Sequence, residues 1–521
     1  MGRSQKERIR DYNIYGQLHQ GITDPKVKTD ILFFVDNGMS DNDLTFDDIF
    51  VPLDLAGRLE SARIIDSCWF SIPGTYSGRL TDHDKALTRK DIDDVDFWKE
   101  IFAKTGADHV VRIAADSPFM DPSIVAEMLD LHRKYLAEFT YSDNLPAGLT
   151  CEIVSRSLIE AIPDMEKKTL PLSQVVRSNI NQFDVELYYR DPDIRDKRLA
   201  FRCGDAREKA VMQNIKNSAG RIPPYEDLRK IIDKTPSVLF TGPSYLELEL
   251  SGRCDLKCLF CYRQTLQEPR GDMTVDLFRK ILADMKEFHL PYTLCLGGSG
   301  EPLMHEKAVD MLGEALREPL IKQVIVETNG LYMDGTYRGL AANDEHKKLL
   351  TIVNINGHDG ETYAGLHGEK TFERVRENIE ALRKEMKDDD KRLYVQIMKI
   401  NETEAFLDSY YDYWEKGNIP IILQKQNTWL GRIMDRRYSD LTPLERTPCW
   451  HLQRDLFILS DGTVSFCKQD VDGSSARGNA SGESLKELWA RARDSFENDY
   501  SGTYPARPDC ASCDEWYTFN F

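Results

Sequence analysis

The sequence predicts an α/β protein in which two stretches of alternating strands and helices precede a short cysteine-rich segment. Apolar runs end in polar or glycine-rich residues and are followed by helical patterns, the order typical of parallel sheets covered by helices. A length of 521 residues suggests about three domains. Seven of the 11 cysteines fall into two clusters, at residues 254–261 and 449–513. The sequence pattern therefore predicts both a fold class and metal chemistry.

The first stretch, residues 1–220, is predicted to form a mostly parallel sheet with helices. Residues 31–35 and 109–115 are short apolar runs typical of strands. Asp121 is suited to cap a helix that begins at Pro122, because its carboxylate accepts from free backbone N–H groups and proline has none to leave unpaired. This alternation favours an α/β domain of the Rossmann type.

The second stretch, residues 237–435, follows a polar segment, residues 216–238, that contains Gly220 and the pair Pro223-Pro224 and predicts a domain junction. Thr274 is suited to cap one of its helices. Five strands are predicted, at residues 245–250, 292–296, 321–326, 350–355 and 392–400. A repeated order of strand, polar or glycine-rich end, and helix is typical of a (β/α) barrel. In such barrels the catalytic residues lie at the strand ends.

The third part, residues 440–521, is predicted to contain short strands near 456–459 and 463–466 and one helix, 484–491. It carries four cysteines: Cys449, Cys467, Cys510 and Cys513. So short and irregular a segment cannot bury a large core, and a bound metal would supply stability that packing cannot.

Composition excludes several classes of protein. The formal net charge of −19 argues against a general nucleic-acid binder, which needs a basic face. Residues 1–10 are charged and lack the apolar region of a secretory signal, and we find no apolar run long enough to span a bilayer. We therefore expect a cytoplasmic protein without membrane contact. The four scattered cysteines are expected to be buried as small hydrophobes: Cys68, Cys151, Cys203 and Cys295.

The triplet Cys254, Cys258 and Cys261 comes directly after the first predicted barrel strand, with C-x3-C-x2-C spacing. Three thiolates are one fewer than a closed zinc site or a four-iron cluster needs. One metal position would therefore stay open. The alternative is a zinc site completed by a distant residue, although zinc sites usually come as paired C-x2-C units.

In this position the triplet resembles the signature of radical S-adenosylmethionine (radical SAM) enzymes, and residues 237–400 agree in order and spacing. The resemblance implies a partial (β/α)6 barrel and these SAM-contacting residues: Phe260 beside the adenine, Gly298, Gly300 and Glu301 in the glycine–glutamate–proline element that receives the ammonium group, and Asn354 at the ribose. Glycines permit the close backbone approach that a ligand needs. Alone, this element could be only a tight turn, and Asn354 departs from the usual serine.

The four C-terminal cysteines resemble the SPASM domain, an extension of many radical SAM enzymes. This resemblance implies a second, auxiliary cluster in which Cys449, Cys467, Cys510 and Cys513 ligate every iron. Such a cluster is closed to substrate and suits electron transfer or structural support. A zinc knuckle is the alternative for four cysteines.

Residues 111–122 resemble the magnesium-binding strand end of cytidylyltransferases for sugar acids, and residues 146–153 resemble their sugar-pocket loop. Asp116 would then be a carboxylate ligand of Mg²⁺. However, residues 36–41 are acidic where a phosphate loop is expected, and residues 202–205 place the second aspartate one position out of register. We therefore expect a degenerate nucleotidyltransferase-like domain. Alternatively, the Asp116 carboxylate is satisfied by local backbone amides.

Together the three parts resemble the spiro-SPASM group of radical SAM proteins. This implies an enzyme that reductively cleaves SAM at a 4Fe-4S cluster and uses a 5′-deoxyadenosyl radical to abstract hydrogen. It also implies a second 4Fe-4S cluster, a reducing electron donor such as flavodoxin or ferredoxin, and a peptide or protein substrate. Alternatives are a sugar or nucleotide-linked metabolite coupled to the N-terminal domain, and a non-enzymatic electron carrier or redox sensor.

Overall fold

The structure is a computed structural model that describes residues 27–90, 92–162, 170–267, 270–387, 390–439, 442–505 and 507–518. The charged segment 1–10, which bears on the prediction that the chain has no secretory signal, lies outside the described residues. The chain divides into two compact units, one ending at Val238 and the other beginning at Leu239. None of the described helices is both long and apolar enough to cross a membrane.

The N-terminal unit is built on a mixed sheet with the strand order β5-β4-β1-β6-β8-β7-β9. Its strands are β1 Thr29–Phe34, β2 Thr45–Phe46, β3 Ile49–Phe50, β4 Ser67–Pro73, β5 Ala86–Arg89, β6 His109–Ala114, β7 Phe139–Tyr141, β8 Glu152–Ser155 and β9 Val185–Leu187. Its α-helices are Val51–Ser61, Val95–Thr105, Pro122–Lys134, Arg156–Ala161, Leu172–Ser178, Ala206–Ala219 and Tyr225–Lys234. Strands β5, β4, β1 and β6 are parallel, and β8 runs antiparallel to both its neighbours.

Two local features of this unit bear on the sequence predictions. Asp121 does cap the helix Pro122–Lys134, accepting a hydrogen bond from the backbone N–H of Ser123 at 2.8 Å. The polar segment 216–238, predicted as a domain junction, contains the helix Tyr225–Lys234 and ends where the two units divide. Its few apolar residues recur at helical spacing and bury one face, a pattern that the polar composition obscures.

The C-terminal unit contains one long sheet with the order β15-β14-β13-β12-β11-β10-β16-β17-β18. Its strands are β10 Tyr245–Leu248, β11 Tyr292–Leu296, β12 Ile321–Thr328, β13 Leu349–Asn354, β14 Leu393–Lys399, β15 Ile421–Lys425, β16 Asp455–Ile458, β17 Thr463–Val464 and β18 Gly478–Asn479. Its α-helices are Val275–Lys286, Ala308–Leu316, Gly335–Ala342, Gly360–His367, Phe372–Glu385, Asn401–Glu404, Leu407–Lys416, Trp450–Arg454, Leu485–Ala490 and Arg493–Tyr500. Thr274 caps the first of these helices, as predicted.

Strands β10 to β15 are parallel neighbours in sequence order, as a partial (β/α)6 barrel requires. β15 was not located from the sequence. Strand β16 pairs in parallel with β10, so the C-terminal segment continues the same sheet instead of packing as a separate body. In the part of the chain that the structure describes, β15 and β18 are the two ends of this sheet, which is therefore open. The carboxyl ends of β10 to β16 lie on one edge, where the site is found.

Candidate active site

One cavity lies at the carboxyl ends of the C-terminal unit's strands, with about 1300 Å³ of space not filled by atoms. Its lining includes all eight residues predicted for the first cluster and its cofactor: Cys254, Phe260, Cys258, Cys261, Gly298, Gly300, Glu301 and Asn354. The structure therefore brings together residues that lie a hundred positions apart in sequence. Cys467 and Lys468, from the C-terminal segment, line the same cavity.

The triplet loop is anchored to the helix Gly360–His367. The backbone N–H of Leu259 donates to the Leu366 carbonyl at 2.8 Å, and the Cys258 Sγ lies 3.1 Å from Nδ1 of His367. Burial raises the pKa of Cys254 to about 11 and that of Cys258 well above its usual value, and the other two thiols raise the Cys258 pKa further. Half-buried thiols with raised pKa values suit a bound cationic metal group, which stabilises thiolates.

The glycine element after β11 is shaped by close packing. Gly298 has φ +97°, a conformation that favours glycine, and a Cβ at Gly300 would lie 2.1 Å from the Ser251 carbonyl oxygen. The loop thus lies directly against the segment between β10 and Cys254. Only glycine lets the backbone reach this position, which exposes main-chain polar groups to the cavity.

Glu301 ties two strand ends together. Its side chain, 2% exposed, accepts hydrogen bonds from Thr328 Oγ1 at 2.7 Å, from the Asn329 N–H at 2.7 Å and from the Leu303 N–H at 3.0 Å. Burial raises its pKa to about 7 in spite of these donors. Glu301 thus holds the end of β12 against the glycine element, and its carboxylate is engaged within the protein.

A row of amides crosses β13, β14 and β15 at the cavity wall. Gln396 Nε2 donates to Asn354 Oδ1 and, at 2.7 Å, to Gln424 Oε1. The Phe260 ring packs edge-on against His367, with centroids 5.7 Å apart. Gln396 and Gln424 were missed from the sequence. Gln396 is a polar residue within the buried part of β14, a signal that could have found it, whereas Gln424 lies in β15, which was itself not located.

Two buried ion pairs near the cavity were also missed. Lys468 Nζ contacts Glu247 Oε2 at 2.9 Å, and Arg270 contacts Glu249 at 2.6 Å. Carboxylates offset the desolvation of Lys468 and raise its pKa. Glu249 also accepts from the backbone N–H of Ser299 at 3.0 Å. The sequence signal for these pairs was the alternation of Glu247 and Glu249 with leucines. This alternation predicts a strand, and it also places two acids where β10 ends.

The four C-terminal cysteines line a second, smaller cavity with about 390 Å³ of empty space: Cys449, Cys467, Cys510 and Cys513. Asp499 accepts from the backbone N–H of Cys449 at 2.5 Å and pairs with Arg446 at 3.3 Å. Cys467 and Lys468 line both cavities and so form the wall between them.

Neither cysteine set is gathered around a single ion. Within the described ranges, no three His, Cys, Asp or Glu side chains converge closely enough to hold one metal ion. Cysteines that bind different irons of a cluster stand further apart than ligands of one zinc ion. Sets of three and four cysteine thiolates are donors that fit iron–sulfur clusters.

Asp116, the residue predicted as a Mg²⁺ ligand, lies in the N-terminal unit and is 1% exposed. One of its carboxylate oxygens accepts from Arg202 Nε, and the other accepts from the Gly204 N–H at 3.1 Å. Arg202 also reaches Asp36 at 2.8 Å, and Asp205 caps the helix that follows. A guanidinium thus lies against the carboxylate where the resemblance implies a metal ion.

Comparison with known families gives two matches. Residues 248–410 match the radical SAM superfamily, and residues 449–514 match SPASM, an iron–sulfur cluster-binding domain. These two ranges contain all seven clustered cysteines, which are the cysteines that line the two cavities. The cytidylyltransferase-like character of the N-terminal unit stays a prediction.

Three curated relatives show how far the similarity extends. An uncharacterized protein of Treponema pallidum (strain Nichols) is 29% identical over 360 residues, which is 66% of this chain and 97% of that protein. The probable GTP 3′,8-cyclase of Methanothermobacter thermautotrophicus is 23% identical over 38% of this chain and 64% of its own length. The Bacillus subtilis (strain 168) antilisterial bacteriocin subtilosin biosynthesis protein AlbA is 28% identical over 27% of this chain and 31% of its own length.

Proposed function

We propose that this chain, a radical SAM enzyme with a C-terminal SPASM iron–sulfur domain, modifies a peptide or protein by abstracting a hydrogen atom from it. The observation that carries the proposal is the shared cavity. The cysteine triplet, the glycine element and Cys467 all line one cavity. A substrate bound in this cavity would therefore lie between the two cysteine sites. A binding module without chemistry would not need a cofactor cavity joined to a second cysteine site.

The ligand roles follow from the two donor sets. We assign Cys254, Cys258 and Cys261 to the 4Fe-4S cluster that binds SAM, and the quartet Cys449, Cys467, Cys510 and Cys513 to the auxiliary 4Fe-4S cluster. When bound, the cofactor supplies the hard step, reductive cleavage of SAM to a radical that abstracts hydrogen. A reducing cytoplasm and a donor such as flavodoxin or ferredoxin would supply the electron.

The chain's own contribution is positioning and exclusion of water. Gly298 and Gly300 bring backbone polar groups to the place where the SAM ammonium group would bind, and Glu301 keeps β11 and β12 in register at that point. Asn354 lines the cavity, and its side-chain oxygen accepts a hydrogen bond from Gln396. These fixed groups would orient SAM against the open iron position.

A peptide is the substrate class that we favour. The cavity wall formed by Asn354, Gln396 and Gln424 offers uncharged amide donors and acceptors, which complement the N–H and C=O groups of a peptide backbone. AlbA, a relative that acts in bacteriocin biosynthesis, supports the same class. The substrate class is independent of the assignment of the clusters.

A nucleotide or nucleotide-linked metabolite is the second candidate, because several relatives are GTP 3′,8-cyclases. The N-terminal unit adds little support for it. The Asp116 carboxylate is paired with Arg202, so a nucleotide-bound Mg²⁺ ion would have to displace a guanidinium. Asp116 as a metal ligand stays a prediction, to be tested by Mn²⁺ binding to the intact chain.

The test compares the sensitivity of the substrate to two enzymes. Anaerobic, cluster-loaded protein is mixed with SAM, a strong reductant and extract of the source cells, and the extra 5′-deoxyadenosine that the extract elicits is measured. The proposal expects this stimulation to be lost after protease treatment of the extract and kept after phosphatase treatment. Loss with phosphatase alone would overturn the peptide assignment in favour of a nucleotide.

A further inference from the structure

Among the described residues around the quartet, Arg477 is a buried cation that forms no ion pair with a carboxylate. Three of the nearby cations are paired: Arg446 with Asp499 at 3.3 Å, Arg507 with Asp470 at 3.4 Å, and Lys468 with Glu247 at 2.9 Å. Among the described residues, Arg477 has no carboxylate within ion-pair distance. Its guanidinium is nevertheless buried, which is costly without compensation.

Arg477 is held in place from several sides. Its backbone N–H donates to the Val464 carbonyl at 2.8 Å, and its Nη2 donates to the Phe466 carbonyl at 2.6 Å. The guanidinium also lies over the Phe466 ring, with Cζ 5.3 Å from the centroid. Phe466 directly precedes Cys467, so these contacts fix the guanidinium beside that cysteine.

The other two nitrogens of this guanidinium are the unexplained feature. Nε and Nη1 of Arg477 are buried and have no hydrogen-bond partner in the parts of the chain that the structure describes. Burial lowers the pKa of Arg477 to about 10, while the Cys467 thiol and Asp470 act to raise it. At neutral pH the group therefore stays a cation. The titratable groups that act on it are Cys467, a member of the quartet, and Asp470, which pairs with Arg507.

We propose that Arg477 donates hydrogen bonds from Nε and Nη1 to sulfur atoms of the quartet cluster and so raises its reduction potential. Reduction adds one negative charge to the cluster, and a fixed cation with N–H donors on the sulfurs stabilises that charge. Arg477 is thus a positioning and tuning residue that makes the auxiliary cluster a better electron acceptor. The inference rests on the quartet holding a cluster and is independent of the substrate.

The experiment measures the quartet cluster by itself. In the full chain, the triplet is replaced by alanines (Cys254→Ala, Cys258→Ala and Cys261→Ala), so that an iron content of about four per chain belongs to the quartet. Redox titration followed by EPR then gives the midpoint potential with Arg477, with Arg477→Met and with Arg477→Lys. Arg493→Met, at an exposed arginine of the same segment, is the matched control.

We expect Arg477→Met to shift the reduction equilibrium at least tenfold toward the oxidised cluster, which is about 59 mV for one electron. Arg477→Lys keeps the charge but loses the planar donor fork, so a smaller shift in the same direction is expected. ENDOR spectra should also lose exchangeable proton couplings in both variants. Midpoint potentials equal to the Arg493→Met control would overturn the proposal. Should the methionine variant fail to load iron, an unchanged potential and unchanged couplings in Arg477→Lys would overturn it equally.

Discussion

The triplet and the quartet of cysteines lie on opposite sides of one wall, and they differ in space and in charge. The triplet opens on a cavity with about 1300 Å³ of empty space, whereas the quartet lines one with about 390 Å³. Beyond burial, Glu301 and Asp255 raise the pKa of Cys254. For Cys467, burial and Asp470 raise the pKa, whereas Arg507 and Arg477 lower it. We infer from ligand number and space that the triplet site is open to a second molecule and that the quartet site is closed.

The largest expected difference concerns SAM. Because only the triplet leaves a metal position open, SAM should change the EPR spectrum of a chain whose quartet is removed by Cys449→Ala and Cys467→Ala. It should leave unchanged the spectrum of the triplet-free chain, measured under the same conditions. A SAM-induced change in the triplet-free chain would mean that the quartet is open too.

Gly300→Ala tests whether the glycine element belongs to the open site. The added methyl would lie 2.1 Å from the Ser251 carbonyl oxygen, so the loop must move away from the cavity. We expect SAM affinity to fall at least tenfold, about 1.4 kcal/mol, in equilibrium binding. Gly313→Ala is the control, because its added Cβ would come no closer than 3.7 Å to a neighbouring atom. Equal affinities in the two variants would remove the glycine element from the SAM site.

Lys468→Met tests the wall between the two sites. Removing the lysine leaves Glu247 buried without a partner, which typically costs about 3–5 kcal/mol of stability. Urea unfolding followed in the intact chain should therefore shift to lower concentration. The double variant Lys468→Met and Glu247→Gln should recover most of the loss, since no unpaired charge remains. No recovery would indicate that the lysine acts through packing and not through the ion pair.

The smallest expected effect is in the N-terminal unit. Asp116→Asn should leave SAM cleavage unchanged, because Asp116 is bonded to Arg202 and Gly204 and not to either cysteine site. Mn²⁺ binding, measured by EPR, should be equally weak in the wild type and in Asp116→Asn. Tight Mn²⁺ binding that Asp116→Asn abolishes would instead support the metal-ligand role implied by the sequence.

Sequence patterns predicted the parts of the site that depend on local order. Each of the first five barrel strands carried its own apolar run, and the resemblance of the strand ends to radical SAM enzymes placed Gly300 and Asn354 at the cofactor, in the cavity that both residues line. The pairing of β16 with β10 could not be predicted, because four residues of strand contain no signal of a partner two hundred residues away. The same holds for Arg202 with Asp116, and for Arg477 beside Cys467.

The most direct test of the central claim is the formation of 5′-deoxyadenosine by anaerobically reconstituted protein with SAM and a strong reductant. The wild type and Cys467→Ala should both form it, because the triplet remains intact in each. Cys258→Ala should form no more than a reaction without protein. Equal product from Cys258→Ala and the wild type would contradict the assignment of the triplet as the SAM-cleaving site.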